Sequence, residues 1–302
     1  MPDVGTGLAT DCDSLLAASR VAPRFASIEE VLGGLEDASM GAPRREPVRL
    51  AVLGGFAADR VAFATVAGYE AALVRLLAPK SLKRVAFCLS EAGGGHPRAI
   101  ETRLMEDDGA WKLFGTKSFV TLAEHAEWYV VIASAGEHGD RKDLGAALVR
   151  RGAPGASVTP RAPLPFAPEL PHGALQLDGT PVTELLEGDG FERYAKPFRT
   201  VEDTHVTLAI VAYGLAEARR LRWPEEALTT SLRELFALAH EDAAAKETHR
   251  ALDAALTGAR AALDALPWPA APAEIAGRWL RDRPLLDVAS RVRQLRADRA
   301  RS

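Results

Sequence analysis

The sequence predicts an α+β protein laid out as helices, then a β module, then helices again. Three observations carry that order. Residues 1–82 and 193–302 are rich in Ala and Leu at helical spacing. Residues 83–192 hold short apolar runs of strand length separated by turn residues. Helix-start signals fall in the outer zones, at Ser27 and Thr200. The expected domains are therefore an N-terminal helical domain (1–82), a middle β domain (83–192) and a C-terminal helical bundle (193–302).

In the first zone, Ser27-Ile28-Glu29-Glu30 reads as a capping box, with Val31, Leu32 and Leu35 on one helix face. A Pro/Arg break at Ala42-Pro43-Arg44-Arg45 precedes one helical stretch from about Leu50 to Leu77, whose first turn Gly54 and Gly55 weaken. Strands are expected near Arg84–Leu89, Ile100–Glu106, Trp111–Val120, Trp128–Ala133, Leu144–Val149, Ser157–Pro160 and Ala174–Leu177. Asp107-Asp108-Gly109 is the hairpin turn between the second and third. Short strands at this spacing point to a compact antiparallel barrel or sandwich. In the last zone, Thr200-Val201-Glu202-Asp203 signals a helix start, with Pro197 just upstream. That helix carries Val206, Ile210, Tyr213 and Leu221 and ends near Trp223-Pro224. A later one presents Leu252, Leu256, Ala259, Leu263 and Leu266, then stops at Pro267-Trp268-Pro269. The basic tail from Arg291 to Ser302 is expected to fray.

Composition narrows the function classes. The chain has 302 residues, 47% apolar and 26% charged, which is ordinary for a globular protein of two domains or three small ones. A net charge of −4 gives no electrostatic case for nucleic-acid binding. Cys12 and Cys88 cannot make a disulfide framework, so a reducing, cytoplasmic setting is expected. Met1-Pro2-Asp3-Val4 shows no basic flank or apolar core of a signal peptide. The most apolar stretch, Leu50 to Leu77, is interrupted by Asp59, Arg60, Glu70 and Arg75, so no membrane span is expected. His240 and His249 lie near Glu241, Asp242 and Glu247 without a metal-ligand pattern, and no metal is expected. Cys88, in a strand, reads as an inert buried thiol.

Two segments of the β module carry the chemistry. The first, Phe87-Cys88-Leu89-Ser90-Glu91-Ala92-Gly93-Gly94-Gly95-His96-Pro97, is a strand running into a triple-Gly turn. It is either a plain interstrand loop or a backbone surface that a planar or phosphate-bearing ligand can approach closely. The second is Gly115-Thr116-Lys117-Ser118-Phe119-Val120-Thr121, followed by Ala126-Glu127-Trp128. Without further context Phe119 is a core aromatic and Thr121 a strand-end hydroxyl.

Together these segments resemble the middle β-domain of the acyl-CoA dehydrogenase family. Phe87, Leu89, Ser90, Glu91, Gly93 and Gly95, then Gly115, Lys117, Phe119, Val120 and Thr121, then Ala126 and Trp128, fall in register with that family's motifs. Ala147-Leu148-Val149 with Pro154-Gly155-Ala156-Ser157-Val158, and Leu185 to Phe191, resemble its later β segments. The resemblance covers residues 84–192 best. It implies a helical N-terminal part, a central β-barrel and a C-terminal four-helix bundle that clasp FAD, with an acyl thioester such as acyl-CoA against the flavin. It further implies cofactor contacts from Phe87, Leu89 and Ser90 to the ring or ribityl chain, Gly95 and His96 by the pyrophosphate, Phe119 on the ring and Thr121 near its reactive nitrogen. A homodimer, or a hetero-oligomer with another subunit of the family, follows from the same resemblance.

The sequence also departs from the family. The Arg-x-x-Phe-Gly motif that grips a neighbouring subunit's cofactor is replaced by Arg219-Arg220-Leu221-Arg222-Trp223-Pro224. The Tyr-Glu-Gly-Thr motif with the usual catalytic Glu has no counterpart in Ala271–Ser302. Where some members carry the base instead, this chain has Thr204 and His205, with Glu202 and Asp203 just upstream. Those two carboxylates are candidate bases or simply first-turn charges of a helix. The resemblance thus leaves two functions open: FAD-dependent oxidation of an acyl thioester, or a non-catalytic subunit that has lost FAD and pairs with a catalytic partner.

Overall fold

The computed structural model describes residues 12–17, 24–40, 46–78, 80, 82–138 and 141–288. The break at Ala42–Arg45 and the basic tail lie outside the described residues. The chain divides into two compact units. One is helical and comprises Met1–Arg75, Leu164–Glu169 and Thr200–Ser302; the other holds the strands and comprises Leu76–Pro163 and Leu170–Arg199.

The helical unit is built from α1 (residues 12–17), α2 (Ile28–Met40), α3 (Pro47–Ala57), α4 (Val61–Leu76), α5 (Lys196–Leu221), α6 (Glu226–Leu238), α7 (Lys246–Asp264) and α8 (Ala273–Asp282). The first turn of α5 (Lys196–Arg199) and the last residue of α4, Leu76, belong to the β unit. Ser27 caps α2 as expected, its Oγ accepting from Glu30 N at 3.1 Å, while Glu30 reaches back to Ala26 N at 2.8 Å. Val31, Leu32 and Leu35 are buried.

Two expectations for this unit are corrected. The single stretch Leu50–Leu77 is two helices, broken at Ala58, where the backbone turns extended and bridges to Phe25. The break is held by Asp59, which accepts from both Arg60 and Arg278. Gly54 and Gly55 do not interrupt α3. A Cβ at Gly55 would run into the Ala209 carbonyl, and one at Gly68 into the backbone of His205 and Val206, so these glycines let α3 and α4 lie close on α5. The helix start expected at Thr200 is also misplaced. α5 begins at Lys196, preceded by a π-type turn over Phe191–Ala195. Asp189 is the capping side chain, its Oδ1 accepting from Phe191 N and Glu192 N at 2.8 Å each.

The later leucine-rich helix is α7, with Leu252, Leu256, Ala259 and Leu263 buried; Leu266, also buried, lies just past its end at Asp264. Beyond it, Trp268 stacks on Trp279 at 4.2 Å, meets Trp223 edge-on at 5.4 Å and donates its indole N–H to Leu263 O.

The β unit contains β1 (Val85–Cys88), β2 (Arg103–Asp107), β3 (Ala110–Thr121), β4 (Trp128–His138), β5 (Arg141–Arg150), β6 (Ala156–Pro160), β7 (His172–Pro181) and β8 (Glu184–Leu186). They form one sheet in the order β6-β7-β3-β2-β4-β5-β8, with β1 also on β4. Seven strands match expectation within a few residues; β8, three residues long, carries too little pattern to read. Asp108 and Gly109 both have positive φ, as a two-residue type I′ hairpin requires.

The expected antiparallel barrel is met only in part. β1 runs parallel to β4, and β2 touches β4 in parallel at Arg103–Ser134, so the sheet is mixed. Its path is open, because no pairing joins β6 to β8 among the described residues. The physical reason for the parallel pairs is that β1 and β2 share one lane. β1 pairs with Trp128–Val131 and β2 begins opposite Ser134, so the chain leaves the sheet between Leu89 and Thr102 and re-enters in the same direction. The core on one sheet face includes Ala86, Cys88, Leu113, Val120, Tyr129, Val131, Val149 and Leu175. Cys88 is fully buried and burial pushes its thiol up to about 12, which leaves it protonated and inert.

Candidate functional site

The excursion between β1 and β2 and the far half of β3 bring the two motif segments together within the β unit. β3 pairs with β7 in register from Phe114–Asp178 to Lys117–Leu175, then slips, so that Val120 faces Gly173. One extra residue on β3 makes a β-bulge at Ser118-Phe119. The bulge turns Ser118 N toward the neighbouring segment, where it donates to Ser90 O at 2.8 Å. Phe119 is left 37% exposed, an unusual state for a large aromatic on a strand.

Phe119 is supported from its own sheet. The His172 ring lies 4.2 Å away at 33°, and the Arg161 guanidinium 5.6 Å away. Arg161 also donates to Ser118 O at 2.9 Å. Thr121 and His172 are direct register partners, both half-buried. Burial pushes the imidazole of His172 down to about 4 against a hydrogen bond to Leu170, with the Arg161 charge adding to the depression. It is therefore neutral at physiological pH.

Among the other expected contacts, Phe87 is only 5% exposed and packs on Phe198 at 4.3 Å. Leu89 is buried, Ser90 half-buried, and Gly95 backs onto both, its carbonyl accepting from Arg199 at 2.9 Å. His96 is exposed and caps the short turn Pro97–Ala99, its Nδ1 accepting from Arg98 N at 3.3 Å. Gly94, with φ +98°, has nothing within 4 Å of where a Cβ would stand. The loop is thus bare backbone at its apex, and the bulge offers an aromatic surface. These residues fit a ligand with a flat ring and a polar chain, as a flavin nucleotide has.

Glu202 and Asp203 belong to the helical unit, in the interior of α5 and half-buried. Thr204 is buried and donates to Thr200 O, while Thr200 Oγ1 lies 3.3 Å from His249 Nε2. His205 is buried, with Nδ1 2.8 Å from Val201 O. Arg219, in the segment that replaces the family's cofactor-gripping motif, is occupied within its own unit. It donates to Glu225 at 2.6 Å and Leu16 O at 2.8 Å and lies over the Phe56 ring. Among the described residues no cluster of His, Cys, Asp and Glu could hold a metal ion.

Sequence reading passed over the ion pair beneath the loop. Lys117 and Glu91 are both buried and 2.6 Å apart. Both stand inside the quoted motifs, and their opposite charges on two apolar segments were the available signal. His172 and Arg161 had no such signal, because only the register of β7 and the chain after β6 brings them to Phe119.

The β unit is one mixed sheet with an excursion in its β1/β2 lane, and the helices form a unit of their own. Residues 86–180 match the family described as acyl-CoA dehydrogenase, middle domain. That match covers the β unit's central stretch, about a third of the chain, and makes it similar to the middle domain of that family. No curated protein sequence matches it. Among solved structures it is similar to PigA with FAD and proline, at 12% identity and TM-score 0.68 over 99% of this chain and 98% of that one. It is also similar to butyryl-CoA dehydrogenase from Megasphaera elsdenii, at 14% identity and TM-score 0.58 over 85% and 81% of the two chains. A third match is the electron transferring flavoprotein structure of Acidaminococcus fermentans, at 14% identity and TM-score 0.60 over 90% and 88%. At these identities the likeness is one of fold.

Proposed function

We propose that the chain is an FAD-binding oxidoreductase that oxidises an acyl thioester, acyl-CoA or a related carrier-bound acyl group. The observation that carries this reading is the bulge at Ser118-Phe119, which exposes an aromatic ring on a segment hydrogen-bonded through Ser118 N to Ser90 O, three residues before the Gly93–Gly95 turn. Bound there, a flavin supplies the acceptor for the hydride that leaves the substrate β-carbon. Phe119 would cover the ring and exclude water, and the Thr121 hydroxyl would hydrogen-bond near its reactive nitrogen. Ser90 and Gly95 would line the ribityl and pyrophosphate path, with His96 at its outer end and Phe87 and Leu89 as the apolar backing.

Removal of the α-proton needs a base, for which Glu202 and Asp203 are the candidates. They are about 100° apart around the helix, so at most one can face a given substrate. The test is to reconstitute the purified protein with FAD and titrate it anaerobically with acyl-CoA. Bleaching of the flavin band that E202Q or D203N slows by about 10²–10⁴-fold supports the reading. A yellow protein that no acyl thioester bleaches refutes the thioester step.

A second reading has its own observation. With Arg219 occupied by Glu225, the Leu16 carbonyl and Phe56, the chain would lend a neighbour's cofactor no grip from that position. This favours a non-catalytic subunit that has lost FAD and pairs with a catalytic one of the same family. Co-purification with such a partner, together with failure to retain FAD alone, would select it. In either reading the protein would work as a homodimer or hetero-oligomer in the cytoplasm. Among the described residues no helix is long and apolar enough to cross a membrane.

A further inference from the structure

The shared lane beside β4 creates a problem in hydrogen bonding. Between the end of β1 and the start of β2 the backbone of β4 has no strand opposite it, and the excursion from Leu89 to Thr102 must leave and return without orphaned groups. Lys117 reaches into this gap from β3. Its Nζ donates to Leu89 O at 3.3 Å, to Ile132 O on β4 at 2.5 Å and to Glu91 Oε1 at 2.6 Å. Those three acceptors use the three protons of an ammonium.

Glu91 completes the join from the other side. Its carboxylate accepts from Glu101 N at 2.7 Å and Thr102 N at 3.1 Å, the residues at which the excursion returns. Glu91 and Gly94 also exchange backbone hydrogen bonds at 3.1 and 2.9 Å, which closes the turn carrying the apex. One charged pair therefore pins the departure, the return and the strand across the gap.

An apolar pair of equal volume often replaces a buried ion pair without loss. Here it would orphan two carbonyls and two N–H groups at once. Burial pushes the Glu91 carboxyl up, but the Lys117 charge and the hydrogen bonds it accepts hold it below the usual carboxylate range.

We propose that the Lys117–Glu91 pair is the positioning brace of the ligand loop: it sets how residues 93–96 meet the polar chain of a bound nucleotide, without touching that nucleotide. This rests on the flavin reading for its ligand, though not for the brace itself. Lys117 and Glu91 are positioning residues, and the loop apex is what they position.

The experiment compares the full-length chain with E91A/K117M and E91Q by amide hydrogen exchange without FAD and by titration with FAD. The double variant leaves no buried unpaired charge. It is expected to keep its far-UV circular dichroism, to exchange the Glu101 and Thr102 amides about tenfold faster or more, and to bind FAD about tenfold more weakly with a blurred visible band. A folded double variant whose exchange and FAD affinity match the native chain overturns the proposal. If the double variant does not fold, E91Q decides. One amide oxygen in place of two carboxylate oxygens should raise exchange at both amides and weaken FAD binding several-fold, and unchanged values for both overturn the brace. If the native chain takes no FAD, the cofactor reading fails, and faster exchange or its absence decides the brace alone.

Discussion

The two units of this molecule use charge in different ways. Among the described residues of the β unit one ion pair is buried on both sides and serves the backbone, filling the hydrogen bonds that a missing stretch of strand would have made. In the helical unit the charges bind one another in a network that is half-buried at Asp59, Arg60, Glu169, Arg278 and Arg281 and fully buried at Asp282. Glu169 accepts from Arg60 and Arg281, Asp59 from Arg60 and Arg278, and Asp282 from Arg281 and from Ala167 N. The first arrangement shapes a loop that has few side chains of its own. The second ties together segments far apart in sequence and tolerates the loss of a half-buried member such as Glu169, because water can reach its partners Arg60 and Arg281.

The largest effect should come from breaking the buried pair on one side. K117M leaves the Glu91 carboxylate without its counter-charge and should cost about 3–5 kcal/mol in urea unfolding. E169Q, in the half-buried network, should cost only about 1 kcal/mol in the same measurement. Equal losses would erase the contrast between the units.

Next in size is the helix contact. G68V sets a branched side chain against the backbone of α5 and should destabilise by about 1–3 kcal/mol or more, with G33A, where nothing lies within 4 Å, as the near-neutral control.

The buried histidines give a pH signature. Burial depresses His205 to about 4, with a hydrogen bond to Val201 opposing, so in the folded chain it stays neutral while the unfolded chain protonates near the ordinary 6.5. The unfolded state then binds more protons between pH 6.5 and 4, and stability must fall as pH falls through that window, by about 1.4 kcal/mol per pH unit at most for each such histidine. Above pH 6.5 the contribution is complete. H205N should flatten the slope between pH 6.5 and 4.5; a slope unchanged by that substitution contradicts the assignment.

The smallest effect on stability should be that of F119A, under about 1 kcal/mol for a ring so exposed, yet with weaker FAD retention. Stability loss without any change in FAD binding would make Phe119 a packing residue.

Much of this was legible in the sequence where local rules decide. The Ser27 cap, the Asp108-Gly109 turn, the face of α7 and seven strands all follow from periodicity and turn chemistry over a few residues. The failures share one cause, which is dependence on distant partners. Ala58 breaks a helix because Phe25 and Arg278 hold the chain there. Thr200 fails as a cap because Asp189, eleven positions earlier, had already started the turn. The antiparallel expectation held for most pairs and missed the two parallel ones, because only the pairing register reveals that β1 and β2 occupy one lane. At the site, Phe119 and the glycine loop could be named from motifs, but the bulge that exposes one and the ion pair that pins the other depend on β7 and β4.

The central claim, that the β unit offers a surface for a flavin, is tested most directly by the visible spectrum of the purified chain after incubation with FAD and gel filtration. The account predicts a retained absorbance band near about 450 nm at close to one FAD per chain, diminished in F119A. A colourless native protein, with all FAD eluting free, would contradict it.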